Sequence, residues 1–274
     1  MRSMLFSPGN KPNLMAKALA TQADAIIFDL EDSVPPEQKE IARAEIEKLL
    51  SGQHGKRIYV RTNPVDSPFI LPDLLFVSRQ PIAGLVIPKV SHPGDLEKVT
   101  WLVDQSSGKA RTDLSIIAIV ETPRGVANIR DIAATERLGA VMFGALDYVL
   151  ELQGTREDDL ALAFPRLAIA VACRANSIDP IDSVYPDYRD LDGLERECRR
   201  ARSMGYSGKA CIHPAQTDAV NRAFSPAEVE VAWARRVVVA YEQATQEGTG
   251  AVSVDGSMVD EPVYKRARKI LAHT

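Results

Sequence analysis

Strand-like runs rich in Ile, Val, Leu and Phe recur at eight places along the chain: residues 4–7, 25–29, 57–61, 84–89, 115–121, 139–144, 177–181 and 208–213. Apolar runs of this length with little polar alternation predict strands covered on both faces, as in a parallel sheet. Between them, apolar residues return at helical spacing over 11–20, 38–50, 94–105, 125–135, 158–174 and 191–204. Strands alternating with helices in this way predict an α/β chain of the (β/α)8 TIM-barrel class, with a doubly wound open sheet as the alternative. Gly205 stops the helix ending near Arg202, and Ser225-Pro226 opens a last barrel helix over 225–243. The glycine-rich stretch 247–256 reads as a linker before a short terminal helix at 261–272. The expected division is a catalytic barrel, 1–246, and a C-terminal tail, 247–274.

In such a barrel the chemistry lies where strands end, on the carboxyl face. Here those ends are polar: Ser7-Pro8-Gly9-Asn10, Asp29-Leu30-Glu31-Asp32, Arg61-Thr62-Asn63, Pro88-Lys89, Glu121-Thr122-Pro123, Asp147, Asp182 and His213-Pro214. One polar strand end means little, because any chain leaving a core needs one. The whole set on one face predicts a site.

Glu121 and Asp147 each follow an apolar run and are the candidate ligands of a hard divalent cation, Mg²⁺; helix N-capping is the competing reading. Asp29, Glu31 and Asp32 crowd three acids into four residues, which is costly unless a cation lies nearby. Glu31 and Asp32 are therefore candidate catalytic residues, orienting metal-bound water or holding Arg61 and Lys89, against the alternative of a solvated acidic turn. Arg61 offers a fixed cation to a developing oxyanion, or neutralises the acidic loop. Lys89 permits a Schiff-base route, although two metal ligands make a metal-stabilised enolate simpler. Pro8, Gly9 and Lys11, between a strand and a helix start, are candidates for holding a phosphate-bearing cofactor, together with Lys89. Backbone amides at Gly144, Ala145 and Leu146 are candidates for a substrate carboxylate. His213 reads as structural, since no second histidine stands at ligand spacing.

Composition narrows the classes. A net charge of −4 leaves no basic footprint for nucleic acid. No stretch has the length needed to span a bilayer, so no membrane is expected as partner. Three cysteines without a C-x-x-C pair predict neither a disulfide framework nor a zinc site, and with no leader-like N-terminus they suit the cytoplasm.

The segments LFSPGNKP, IIFDLEDSV, VRTN, GLVIPK, IVETPRGV, MFGALDY, IDSVYPDYRDLDGL, GYSGKACIHPAQ and DGSMVDEP resemble the citrate lyase β-subunit-like family, which includes malyl-CoA and citramalyl-CoA lyases. The resemblance spans nearly the whole chain. It implies a TIM-barrel carbon–carbon lyase that holds Mg²⁺ at Glu121 and Asp147 and acts on a coenzyme A thioester, releasing acetyl-CoA and a keto acid. It implies that Arg61 contacts the thioester oxygen, and that Asp260 serves as acid or base from the tail of a neighbouring subunit. A homo-oligomer, trimer or hexamer, follows from that tail. Ser7 departs from the apolar residue common in relatives, so a carrier-protein thioester, with an acyl carrier protein as partner, stands beside coenzyme A. A pyruvate-type class II aldolase acting on free keto acids is the other alternative.

Overall fold

The computed structural model describes residues 1–52, 55–155 and 160–272. Eight parallel strands close into a barrel in chain order: β1 Ser3–Pro8, β2 Ala25–Asp29, β3 Arg57–Arg61, β4 Gly84–Ile87, β5 Ser115–Val120, β6 Leu138–Phe143, β7 Asp179–Asp182 and β8 Gly208–Cys211. Closure by β1 against β8 decides for the barrel and against the open sheet. The connecting helices are α1 Pro12–Leu19, α2 Lys39–Leu50, α3 Ile70–Val77, α4 Pro93–Ser107, α5 Pro123–Ala127, α6 Ile129–Ala133, α7 Ala145–Glu151, α8 Leu160–Ala175, α9 Leu191–Ser203 and α10 Thr217–Phe224. The expected start of α8 at Asp158 lies outside the described residues.

Strand pleating explains how the barrel fills and where its chemistry lies. Met4, Ala25, Ile27, Tyr59, Val86, Ile117, Ile119, Ala140, Met142, Ile181 and Ala210 point inward and form one buried cluster. Their neighbours, such as Leu5, Ile26, Phe28, Val60, Leu85, Ala118 and Val141, are buried too, on the side of the helical layer. Both faces are therefore apolar, and the runs look continuous in sequence. Two residues beyond the inward cluster, the same parity presents Asp29, Arg61, Glu121, Gly144 and Ser183 at the mouth. Pro8, Asp29 and Arg61 are direct register partners across β1, β2 and β3.

Local signals set the helix ends. Thr122 Oγ1 accepts the Gly125 amide at 2.9 Å and caps α5. His92 and Asp95 form a capping box at α4, which stops at Gly108 in the left-handed region (φ 69). The single helix expected over 125–135 is split at Asn128 into α5 and α6.

The chain forms two compact units, Met1–Asn221 and Arg222–Thr274. The helix expected at 225–243 as the last of the barrel is α11, Glu228–Gln246, in the second unit, while α10 follows β8 in its place. The expected linker contains an antiparallel hairpin, β9 Val252–Val254 and β10 Ser257–Val259, turned by Asp255 (φ 51) and Gly256 (φ 78). Asp-Gly with both residues left-handed is the favoured two-residue hairpin turn. The hairpin, α11 and the terminal helix α12, Glu261–Leu271, share a core of Ala234, Val237, Val254, Val259 and Ala267. The boundary expected after residue 246 falls inside this second unit, at the end of α11.

Among the described residues no helix is long and apolar enough to cross a membrane. Cys173, Cys198 and Cys211 are buried free thiols, each pushed up to about 12, with burial the largest cause.

Candidate active site

A cavity of about 420 Å³ opens at the carboxyl ends of the strands, lined by Pro8, Asp29, Asp32, Arg61, Glu121, Gly144, Leu146, Asp147 and Ser183 over an apolar floor of Phe6, Ile119 and Met142. Both expected metal ligands face it. Glu121 leaves β5 and is 4% exposed; its Oε1 accepts the Lys89 backbone N–H at 2.8 Å. Lys89 presents that donor from a left-handed backbone (φ 54), strained for a side-chain-bearing residue. Asp147 is the third residue of α7, whose N-cap is Gly144, so Asp147 is not the helix cap.

Burial pushes the Glu121 carboxyl up to about 8, and the charges of Glu31 and Asp147 add to the rise against the Lys89 amide and Arg61. A carboxylate held this far from its ordinary range, beside two more acids, is a site whose charge calls for a cation. Among the described residues no group of three or more His, Cys, Asp or Glu side chains is disposed to hold a metal. Two carboxylates with the remaining positions left to water and substrate oxygens suit Mg²⁺, which dehydrates reluctantly. The residues present fit that ion.

Gly144 keeps Glu121 in place by being small. A Cβ there would lie 2.4 Å from Glu121 Cβ and 2.5 Å from its Oε2, so Gly144→Ala must displace the carboxylate. The expected result is a folded protein with turnover reduced about 10- to 100-fold, of the size seen when a ligand's support is removed; unchanged kinetics with an unchanged metal titration would contradict it.

The acidic loop and Arg61 form one unit. Arg61 Nε and Nη2 bond Asp29 Oδ1 and Oδ2 at 2.6 and 2.7 Å, and Nη1 lies 2.9 Å from Glu31 Oε2 and 3.6 Å from Asp32 Oδ2. The guanidinium also sits 4.9 Å over the Phe6 ring. Burial alone would raise the Asp29 carboxyl, but the Arg61 charge and hydrogen bonds outweigh it and hold it below the ordinary range. Glu31 differs: neither oxygen has a directed hydrogen bond, and burial first, with Asp32 and Asp29 helping, pushes it up to about 7 despite Arg61 and Lys89. Lys89 Nζ stands 3.5 Å from Glu31 Oε1. Burial lowers the Lys89 ammonium, but Glu31, Asp32, Glu121 and Asp147 more than offset it and keep it charged, which disfavours a Schiff-base role.

Several expected residues are placed differently. Asp182 does not face the mouth. The last strand residue alternates outward, and Asp182 pairs with Lys209 (2.7 Å) and Arg166 (3.0 Å) behind the barrel wall, leaving Ser183 to line the cavity. The Gly144 amide extends the sheet to Val120 O (3.0 Å) and the Ala145 amide donates to Ser183 Oγ (3.0 Å), so neither is left for a substrate carboxylate. Leu146 remains on the cavity wall. In the N-terminal loop the Gly9 and Lys11 amides are bound to Asp29 O and Pro8 O; Pro8 lines the cavity, and the Lys11 side chain is exposed. Asn63 is buried beneath the acidic loop. His213 caps a 3-10 turn through Nδ1 and stacks on Tyr188 at 4.3 Å. Asp260, in the second unit, caps α12 by accepting the Val263 amide at 3.2 Å.

Residues 2–214 match the HpcH/HpaI aldolase/citrate lyase family. The chain belongs to this family. It is accordingly an enzyme, a carbon–carbon lyase. A (3S)-malyl-CoA thioesterase of Cereibacter sphaeroides is 38% identical over 274 residues, covering 99% of this chain and 93% of the relative. The citrate lyase subunit beta of Escherichia coli is 36% identical over 278 residues, covering 99% and 92%. Among solved structures, CitE of Mycobacterium tuberculosis in complex with magnesium, acetoacetate and coenzyme A superposes with a TM-score of 0.82 at 31% identity, covering 99% of this chain and 97% of that one.

Proposed function

We propose that this citrate lyase β-like enzyme cleaves, or in reverse forms, a 3-hydroxyacyl-CoA such as malyl-, citramalyl- or citryl-CoA, giving acetyl-CoA and a 2-keto acid with Mg²⁺ at Glu121 and Asp147. The observation that carries this reading is the grouping of those two carboxylates with Asp29, Asp32 and Arg61 around one cavity at the barrel mouth. Magnesium and coenzyme A bound to the Mycobacterium tuberculosis relative support both groups.

When bound, the cation supplies Lewis-acid polarisation of the substrate hydroxyl and the adjacent carboxylate. Cleavage removes the hydroxyl proton, forms the keto C=O and breaks the neighbouring carbon–carbon bond; the electron pair passes to the thioester fragment as an enolate, which a proton quenches at carbon. Glu31, poised near neutrality, takes the hydroxyl proton. Arg61, held rigid by Asp29, stabilises the thioester oxygen as it gains charge. Asp32, at the rim, orients water toward the cation. Asp260 delivers the proton to the enolate from a neighbouring copy in a homo-oligomer, trimer or hexamer.

Thioester hydrolysis is a second reading, favoured by the 38% identity to a (3S)-malyl-CoA thioesterase and by the Glu31 carboxyl, pushed up to about 7, which suits a base for water. One assay separates the readings. Purified protein with Mg²⁺ and a panel of malyl-, citramalyl- and citryl-CoA should release keto acid and acetyl-CoA in equal amounts, and lose activity on chelation. Free CoA with intact hydroxy acid would select hydrolysis; turnover of free keto acids alone would select the aldolase, and turnover only with an added acyl carrier protein thioester the multiprotein lyase.

A further inference from the structure

Lys39, the first residue of α2, is 6% exposed and lies beneath the acidic loop. Its ammonium has three donors and all are used: to Leu30 O at 2.6 Å, Glu31 O at 2.8 Å and Asn63 Oδ1 at 2.7 Å. No carboxylate is among those partners. Behind it, the Asn63 backbone N–H and Nδ2 donate to Asp73 Oδ2 at 2.9 and 2.7 Å, and Arg43 bonds Asp73 Oδ1 at 2.8 Å. A relay therefore runs from α2 and α3 to the two carbonyls that flank the Glu31 peptide plane.

A buried ammonium facing only neutral oxygens is an expensive way to hold a loop, since its charge is desolvated without a paired ion. What recommends it here is its place under Asp29, Glu31, Asp32 and Asp73, where a positive charge offsets their mutual repulsion. We propose that Lys39 is a positioning residue, fixing the Leu30–Glu31 backbone so that the Glu31 carboxylate is held against Arg61 and Lys89. This rests on the reading above in which Glu31 takes part in the chemistry.

Two of the three acceptors of Lys39 keep a second donor without it, while Asn63 Oδ1 loses the bond it takes from Lys39. Leu30 O also accepts Asn63 Nδ2 (3.1 Å) and Glu31 O also accepts the Val34 amide (3.1 Å), so Lys39→Met leaves each carbonyl with one donor. The test is a kinetic cycle of Lys39→Met, Glu31→Gln and the double variant, each verified as folded by circular dichroism, with malyl-CoA as probe. Lys39→Met is expected to lower kcat about 10- to 100-fold with KM within about twofold. The double variant should then be no slower than Glu31→Gln alone, within about twofold. Losses that multiply, or a normal kcat in Lys39→Met, would overturn the positioning role while leaving Glu31 in the mechanism. Full activity in Glu31→Gln would overturn the role of Glu31 and this proposal with it. Should Lys39→Met not fold, Lys39→Gln retains two donors and carries the same cycle.

Discussion

Glu121→Gln is expected to remove activity and, in metal-free protein, to raise stability at alkaline pH. On the activity side the substitution removes the charge of one of the two carboxylates proposed to hold Mg²⁺ at the cavity. Lewis-acid stabilisation of several kcal/mol corresponds to a loss of at least about 10³-fold in kcat/KM. On the stability side the sign is opposite. The folded Glu121 carboxyl sits at about 8 against an ordinary 4.5, so between those values the folded state binds the extra proton. Stability of the metal-free protein therefore falls as pH rises from 4.5 through 8, by an amount on the order of a few kcal/mol. A neutral isostere avoids that loss. Melting curves in chelator at pH 6 and pH 9 should show the wild type dropping more steeply than the variant, which keeps only the smaller fall due to Glu31, with the variant higher at pH 9. Adding Mg²⁺ should reverse the order, because only the wild type gains binding free energy. A variant that binds the ion as tightly as the wild type would remove Glu121 from the metal site, and a wild-type melting point that rises toward pH 9 would contradict the raised Glu121 carboxyl.

The barrel was legible because both faces of every strand are covered, which erases polar alternation and leaves runs such as Ser115–Val120 unmistakable. The mouth followed from the same rule. Asp29, Arg61 and Glu121 stand two residues beyond inward-pointing Ile27, Tyr59 and Ile119. Asp182 escaped because parity depends on register: placing β7 at 177–181 rather than Asp179–Asp182 turns an outward acid into an apparent mouth residue. The amides of Gly144 and Ala145 were misread for a different reason. Whether a backbone donor is free depends on partners distant in sequence, here Val120 and Ser183, which no local pattern reveals. The hairpin at Val252–Val259 was within reach, since Val-Ser-Val-Asp-Gly-Ser-Met-Val has both alternation and the Asp-Gly turn; its glycine-rich approach masked it. The split of α5 from α6 and the relay under Glu31 depend on packing alone.

Asp182→Asn is expected to cost more folding free energy than any exposed charge change. Asp182 is fully buried and is the hub of a four-charge network: Arg166 Nε at 3.0 Å and Lys209 Nζ at 2.7 Å, with Glu197 2.5 Å from Lys209 and 3.3 Å from Arg166. Two cations balance two anions behind β7 and β8. Removing the Asp182 charge leaves a net buried positive charge that Glu197 alone cannot compensate, a situation worth about 3–5 kcal/mol. Although burial alone would raise the Asp182 carboxyl, Lys209 and Arg166 hold it below the ordinary range. Its stabilisation is therefore fully present above the unfolded carboxylate range and is lost only as pH falls through the lower folded value, so the gap between wild type and variant should persist at pH 7 and close in strong acid. Asp179→Asn is the control. That carboxylate is about half exposed, meets Arg174 at only 3.5 Å and accepts from Ser207 Oγ at 2.7 Å, a bond that an asparagine oxygen keeps, so loss of its charge should cost under about 1 kcal/mol. Urea unfolding at pH 7 measures both. Adding Lys209→Met to Asp182→Asn restores neutrality within the network and should recover part of the loss, and a double variant less stable than Asp182→Asn would contradict charge imbalance as the cause. The effect reaches the site through one residue: Ser183 follows Asp182 directly and holds the Ala145 amide at the start of α7, the helix that presents Asp147 to the cavity.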